Sequence, residues 1–85
     1  MTERVQVRVK LFAAAKQLAG QESLAVELPE PATIATLRAA LAAQFPPLAP
    51  LVQSAMFSLN LDYAPDNTPI PAQAEIACIP PVSGG

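Results

Sequence analysis

The chain has 85 residues, 52% of them hydrophobic and 14% charged, with a mean hydropathy of +0.33, which sets one domain with one modest core and excludes a disordered chain. Its formal net charge of -2 excludes the basic footprint of a nucleic-acid binder, and no apolar run approaches the ~20 residues of a membrane span. It has no histidine, no tryptophan and a single cysteine, so histidine bases, imidazole metal ligands, Ser-His and Cys-His pairs, a disulfide framework and a Cys-rich metal site are all excluded.

The first residues alternate polar and apolar side chains instead of opening an apolar signal-peptide core, so a cytoplasmic location is expected. Val5, Val7, Val9 and Leu11 alternate with polar residues over 4–11, the pattern of a half-buried strand. Residues 12–19 are good helix formers, and Gly20 stands where a helix C-terminal cap belongs. Leu24, Val26 and Leu28 predict a second strand over 22–28, stopped by Pro29 and Pro31.

Thr33 is placed to cap the main helix. Ile34, Leu37, Leu41 and Phe45 recur at helical spacing, so a helix is predicted over 34–44, ended by Pro46 and Pro47. Residues 48–53 are read as a single turn. A strand from Met56 to Leu61 is expected to turn Phe57, Leu59 and Leu61 to one face. Tyr63 to Ala74 is rich in Pro, Asp and Asn and reads as turns with at most a very short strand. Glu75 to Ile79 is the last strand, ended by Pro80 and Pro81. One main helix on one face of a mixed four- or five-stranded sheet satisfies this order, an α+β arrangement. Domain bounds of 1–80 with a tail over 81–85 follow.

Charge is unevenly placed. Arg4, Arg8, Lys10, Lys16 and Arg38 are the only basic residues, and Asp62, Asp66 and Glu75 are the only charges after them. The acidic second half suits a partner with a basic surface.

Two of the three glycines are Gly84 and Gly85, the last two residues. Pro80 and Pro81 restrict the exit from the last strand, and the glycines remove side-chain bulk at the tip. Extended at about 3.3 Å per residue, Pro81, Val82, Ser83, Gly84 and Gly85 reach about 15 Å beyond the fold. Such a tail threads a narrow channel and presents the Gly85 carboxylate inside another protein; the plain alternative is a frayed end. Cys78 reads as a small buried hydrophobe rather than a sulfur relay. Phe12, Tyr63 and Ile79 fit either the core or an apolar docking face beside the tail. Lys16 fits a solvated helix face better than a pairing with an acidic partner or a nucleotide site, and Asp62 and Asp66 are turn residues rather than ligands.

The ending Ile79-Pro80-Pro81-Val82-Ser83-Gly84-Gly85 resembles that of the MoaD-type sulfur carriers, the small subunits of molybdopterin synthase. Val9-Lys10-Leu11-Phe12-Ala13 with Lys16 and Gly20, the helix from Thr33 through Leu41, and Asn60 extend the resemblance over nearly the whole chain. Gln73-Ala74 departs from it, since relatives have glycine in that turn, and the Pro- and Leu-rich segment 46–53 is unusual. The resemblance implies a β-grasp, ubiquitin-like fold and a carrier that is not an enzyme on its own. An E1-like adenylyltransferase, nucleotide-binding and using ATP, would activate Gly85 as an acyl-adenylate, and a sulfur donor protein would convert it to a thiocarboxylate. The tail would then enter the large subunit, in a heterotetramer, and pass sulfur to precursor Z in molybdenum cofactor biosynthesis. Tyr63 and Ile79 would contact partners. No resident cofactor, metal, nucleic acid or membrane is implied. Alternatives are a sulfur carrier for thiazole or cysteine synthesis, a ubiquitin-like protein modifier, and a plain binding module.

Overall fold

Val7, Val9 and Leu11 of strand β1 (Arg4–Leu11) are buried while Arg4, Gln6, Arg8 and Lys10 face out, so one face of the sheet needs a cover and the other does not. A computed structural model of the chain describes residues 4–71 and 73–81. Strand β2 (Ser23–Pro29) repeats the alternation with Leu24, Val26 and Leu28 buried, and pairs antiparallel with β1 from Arg4↔Pro29 to Lys10↔Ser23. Pro29 is the last residue of this strand rather than the stop before it. It lies at the sheet edge, where a missing N–H breaks no ladder.

Helix α1 (Ala13–Ala19) joins these strands and ends at Gly20, whose φ of 70° is the left-handed cap that glycine adopts without a Cβ penalty. Helix α2 (Ile34–Gln44) covers the inner face of the sheet with Ile34, Leu37 and Leu41, all fully buried. Thr33 and Thr36 form a reciprocal capping box at its start, each hydroxyl accepting from the other residue's backbone N–H. Pro46 and Pro47 end α2, yet they also open a 3₁₀ turn (Pro46–Leu48) that runs into α3 (Ala49–Val52). The single turn expected over 48–53 is α3, with the 3₁₀ turn added before it. Proline is tolerated at the first positions of a helix because those N–H groups have no intrahelical partner.

Strand β3 (Met56–Leu59) pairs antiparallel with β5 (Ile76–Ile79) and with the two-residue β4 (Asp62–Tyr63). β5 lies parallel to β1, giving the order β2-β1-β5-β3-β4. The mixed five-stranded sheet under one main helix matches the architecture expected from the sequence.

The end of β3 also differs from the expectation. Leu61 does not continue β3 inward; it sits in the two-residue turn between β3 and β4 and is 86% exposed. Asn60 (φ 51°) and Leu61 (φ 74°) are both left-handed, as a hairpin closed by two positive-φ residues requires. Asn60 suits that conformation and also fixes it. Its N–H donates to the Glu75 carbonyl at 2.7 Å, and its Oδ1 accepts the Glu75 N–H at 2.9 Å.

Arg38 joins the second half of the chain to α2. Its Nη1 donates to the Val52 and Ala55 carbonyls, its Nη2 pairs with Asp66 at 2.8 Å, and its guanidinium stacks 5.0 Å from the Phe57 ring centroid. These groups come from α3, the approach to β3, β3 itself and the turn after β4.

Two stability changes are expected. Arg38→Ala leaves part-buried carbonyls without a donor and should lower the unfolding free energy by about 2–4 kcal/mol, read as a lower urea midpoint at unchanged slope. Leu61→Gly relieves a left-handed backbone that is unfavourable for an L-residue by about 1–2 kcal/mol, and after the greater chain entropy of glycine should raise stability by up to about 1 kcal/mol.

Candidate functional site

The end of the last strand is fixed by its two neighbours. Leu11 lies beside Cys78 on the parallel side, and Met56 lies opposite Ile79 on the antiparallel side. Phe12 is one step beyond Leu11 and so comes level with Ile79. Pro80 is buried and Pro81 is exposed, so the chain leaves the fold at this end of the sheet. Val82, Ser83, Gly84 and Gly85, singled out in the sequence, lie outside the described residues.

Around that exit the uncovered face of the sheet is apolar. Phe12 is 46%, Ile79 42%, Met56 53% and Tyr63 65% exposed. Register places them together: Met56 is paired with Ile79, and Tyr63 with Ser58, which is in turn paired with Ala77. Phe12, Tyr63 and Ile79 are thus on the open sheet face and not in the core. The helices cannot cover this face, because α2 packs on the other one. Met56 was missed in the sequence, although strand alternation carries the signal: a residue adjacent to inward Phe57 must point outward.

Lys10 points out of the same face beside Ala77. Lys16 is exposed on α1 and lies 3.5 Å from Glu22. Both lysines line an open cleft of about 390 Å³ with Phe12, Glu22 and Ser23. The exposed charge on the β1 side of the tail exit is therefore basic, contrary to what the acidic second half of the chain suggested. The strand order is the reason: β5 carries no charged side chain of its own, and the sheet sets it against basic β1.

Cys78 is fully buried between Leu11 and Phe57. Burial pushes its thiol up to about 11, and the Arg38 charge offsets this in part. A thiol held protonated is a poor nucleophile, so Cys78 serves as core, as the sequence indicated. Asp62 and Asp66 are in the hairpin and the following turn, and Asp66 holds Arg38. Among the described residues no group of three or more His, Cys, Asp or Glu side chains is placed to hold a metal ion. No helix there is long and apolar enough to cross a membrane.

Similarity to known proteins extends over nearly the full length. The model of the ThiS family matches residues 9–85. The chain is 33% identical over 84 residues to the molybdopterin synthase sulfur carrier subunit of Arabidopsis thaliana, covering 99% of this chain and 88% of that one. Its structure is similar to that of H. volcanii small archaeal modifier protein 1, with a TM-score of 0.80 and 26% identity over 92% of this chain and 99% of the other. It also shares its fold with a chain in the complex of subunits 1 and 2 of the molybdopterin-converting factor from Helicobacter pylori, with a TM-score of 0.65 and 24% identity, covering 95% of this chain and 100% of that one.

The buried thiol gives a direct expectation. Cys78 should resist alkylation in the folded protein at neutral pH and react only on unfolding. Because burial raises its folded pKa from the ordinary 9.0 to about 11, its contribution to stability is complete below pH 9 and is lost as pH rises from 9 towards 11. Cys78→Ala should flatten that alkaline part of the stability curve in pH-dependent urea titrations.

Proposed function

The chain belongs to the ThiS family, and from that membership we propose that it is the sulfur-carrier subunit of a molybdopterin synthase, with its chemistry at the carboxylate of Gly85. The observation that carries this reading is the apolar row Phe12, Ile79 and Met56 on an uncovered sheet face, set where the Pro-Pro-Val-Ser-Gly-Gly ending leaves the fold. A partner that docks on this row receives the tail in a fixed direction.

The chemistry follows from what a carboxylate lacks. It is a poor electrophile, so an E1-like adenylyltransferase would let the Gly85 carboxylate oxygen attack the α-phosphorus of ATP, with pyrophosphate leaving. Hydrosulfide delivered by a sulfur donor then attacks the acyl carbon and AMP leaves, giving a C-terminal thiocarboxylate. Threaded into the large subunit, that sulfur is the nucleophile towards precursor Z, and hydrolysis returns Gly85 to a carboxylate. Two such cycles supply a dithiolene. The carrier contributes position and an unhindered acyl carbon; the partners contribute acid, base and nucleotide sites. This division agrees with a chain that has no histidine and whose one cysteine is buried.

Similarity to a small archaeal modifier protein favours a second reading, in which the same acyl-adenylate is passed to a lysine amine and an isopeptide bond forms. A carrier for another sulfur acceptor shares every step up to the thiocarboxylate.

Intact mass after incubation with ATP, the activating enzyme and a sulfur donor tests the common step. Replacement of one oxygen by sulfur at Gly85 is expected, and no change with any cognate partner would sink it. Consumption of that sulfur by precursor Z selects the proposed reading, and covalent conjugates select the modifier. Deleting Gly85 should abolish transfer without altering the unfolding midpoint. Ile79→Asp or Met56→Asp should weaken binding to the large subunit about tenfold or more, because each puts a charge in the centre of an apolar contact.

A further inference from the structure

Strand β2 is an edge of the sheet, and an open edge offers unpaired backbone groups to another chain. Its pairing to β1 fixes which residues face that edge. The Leu11 N–H donates to the Glu22 carbonyl at 2.8 Å, and backbone hydrogen bonding alternates along an antiparallel pair. Even-numbered residues of β2 therefore bond β1, and Ser23, Ala25 and Glu27 turn their N–H and C=O outward, with Pro29 closing the end. One side chain meets this edge from the last residue of α2. The Gln44 Nε2 donates to the Glu27 carbonyl at 2.9 Å, and its Oε1 accepts the Glu27 N–H at 3.4 Å. A primary amide in this position makes the same donor and acceptor pair that a neighbouring strand would make.

We propose that Gln44 is a plug on the β2 edge that keeps this chain from pairing with a second copy of itself, and that without the plug two chains join as an antiparallel β2–β2 dimer. The occupant follows from the strand's own register. Seven residues overlap fully only when Val26 faces Val26 of the second copy, which sets Ala25 opposite Glu27 and Leu24 opposite Leu28. In that register each Glu27 must give its N–H and C=O to the Ala25 of the other copy. These are the two groups that Gln44 holds, and both copies present the same block. The apolar side chains of β2 already face the core under α2, so the new contact would be a continuous ten-stranded sheet held by main-chain hydrogen bonds. The inference is independent of the sulfur-carrier reading, since the β2 edge and the tail exit belong to different strands.

The test is mass in solution across a dilution series, by light scattering on the full chain. The unaltered protein is expected at 8.9 kDa throughout. Gln44→Ala should move to twice that mass as concentration rises. Gln44→Met, which keeps the length of the side chain and loses its amide, should do the same. Ala25→Pro added to Gln44→Ala removes an outward N–H that β1 does not use, and should restore the monomer. Glu27 amide exchange at high dilution should be faster in Gln44→Ala than in the unaltered protein. A dimer in the unaltered protein, monomers for both folded Gln44 variants at all concentrations, or a dimer indifferent to Ala25→Pro would each overturn the proposal.

Discussion

Three register positions, Val9 with Ile76, Lys10 with Ala77 and Leu11 with Cys78, join the first strand to the last in the middle of the sheet. The rest of the structure depends on this parallel contact. A parallel pair cannot be made by a hairpin and needs a crossover, and here α2 is that crossover, laid over the inner face. The contact also makes the two ends of the fold meet: β1 finishes at Leu11, just before Phe12, and β5 at Ile79 on the same side, so the chain departs between exposed aromatic and aliphatic side chains. The departure point of the ending is held by this contact. A central strand, bonded on both sides, is the stiffest place to anchor it.

The β1–β5 contact alone would leave β3, β4 and the turns loosely attached, since those strands are short. Arg38 and Asn60 make up the difference. Arg38 reaches from α2 to two carbonyls, to Asp66 and to the face of Phe57, so one guanidinium positions α3, β3 and the following turn against the main helix. Charged donors on carbonyls in a part-buried site are stronger than neutral ones. Asn60 clamps the hairpin to Glu75, the residue that leads into β5. Met56, opposite Ile79, is thereby held in the exposed row at the exit. The same helix ends in Gln44, whose amide occupies the far edge of the sheet.

Relations that act over a few residues were legible in the sequence. The 34–44 helix with its Thr33 cap, the Gly20 cap and the alternation of β1 and β2 each follow from side-chain periodicity or from one residue's backbone preference. Cys78 was legible as core for the same reason. The strand end at Leu59 was not, because Leu61 is apolar and in phase, and nothing local says that a leucine will accept a left-handed φ. What forces it is the tight turn that lets β4 return to Ser58 and Leu59, with Asn60 bonded to Glu75. Gln73, in the turn where the resemblance led glycine to be expected, likewise has φ 60°: a residue other than glycine takes a left-handed backbone there.

The sequence by itself therefore determined most of the elements, most of the core and the composition of the ending, since these depend on residue type and spacing alone. Only the tertiary structure decided that Phe12, Ile79, Met56 and Tyr63 share one uncovered face, that basic β1 lies beside the exit of an otherwise acidic half, and that Arg38 and Gln44 act at a distance. Those facts rest on strand order and register. Strand order is set by which long-range pairing buries the most apolar surface while satisfying the backbone, a global balance that no local stretch of the chain records.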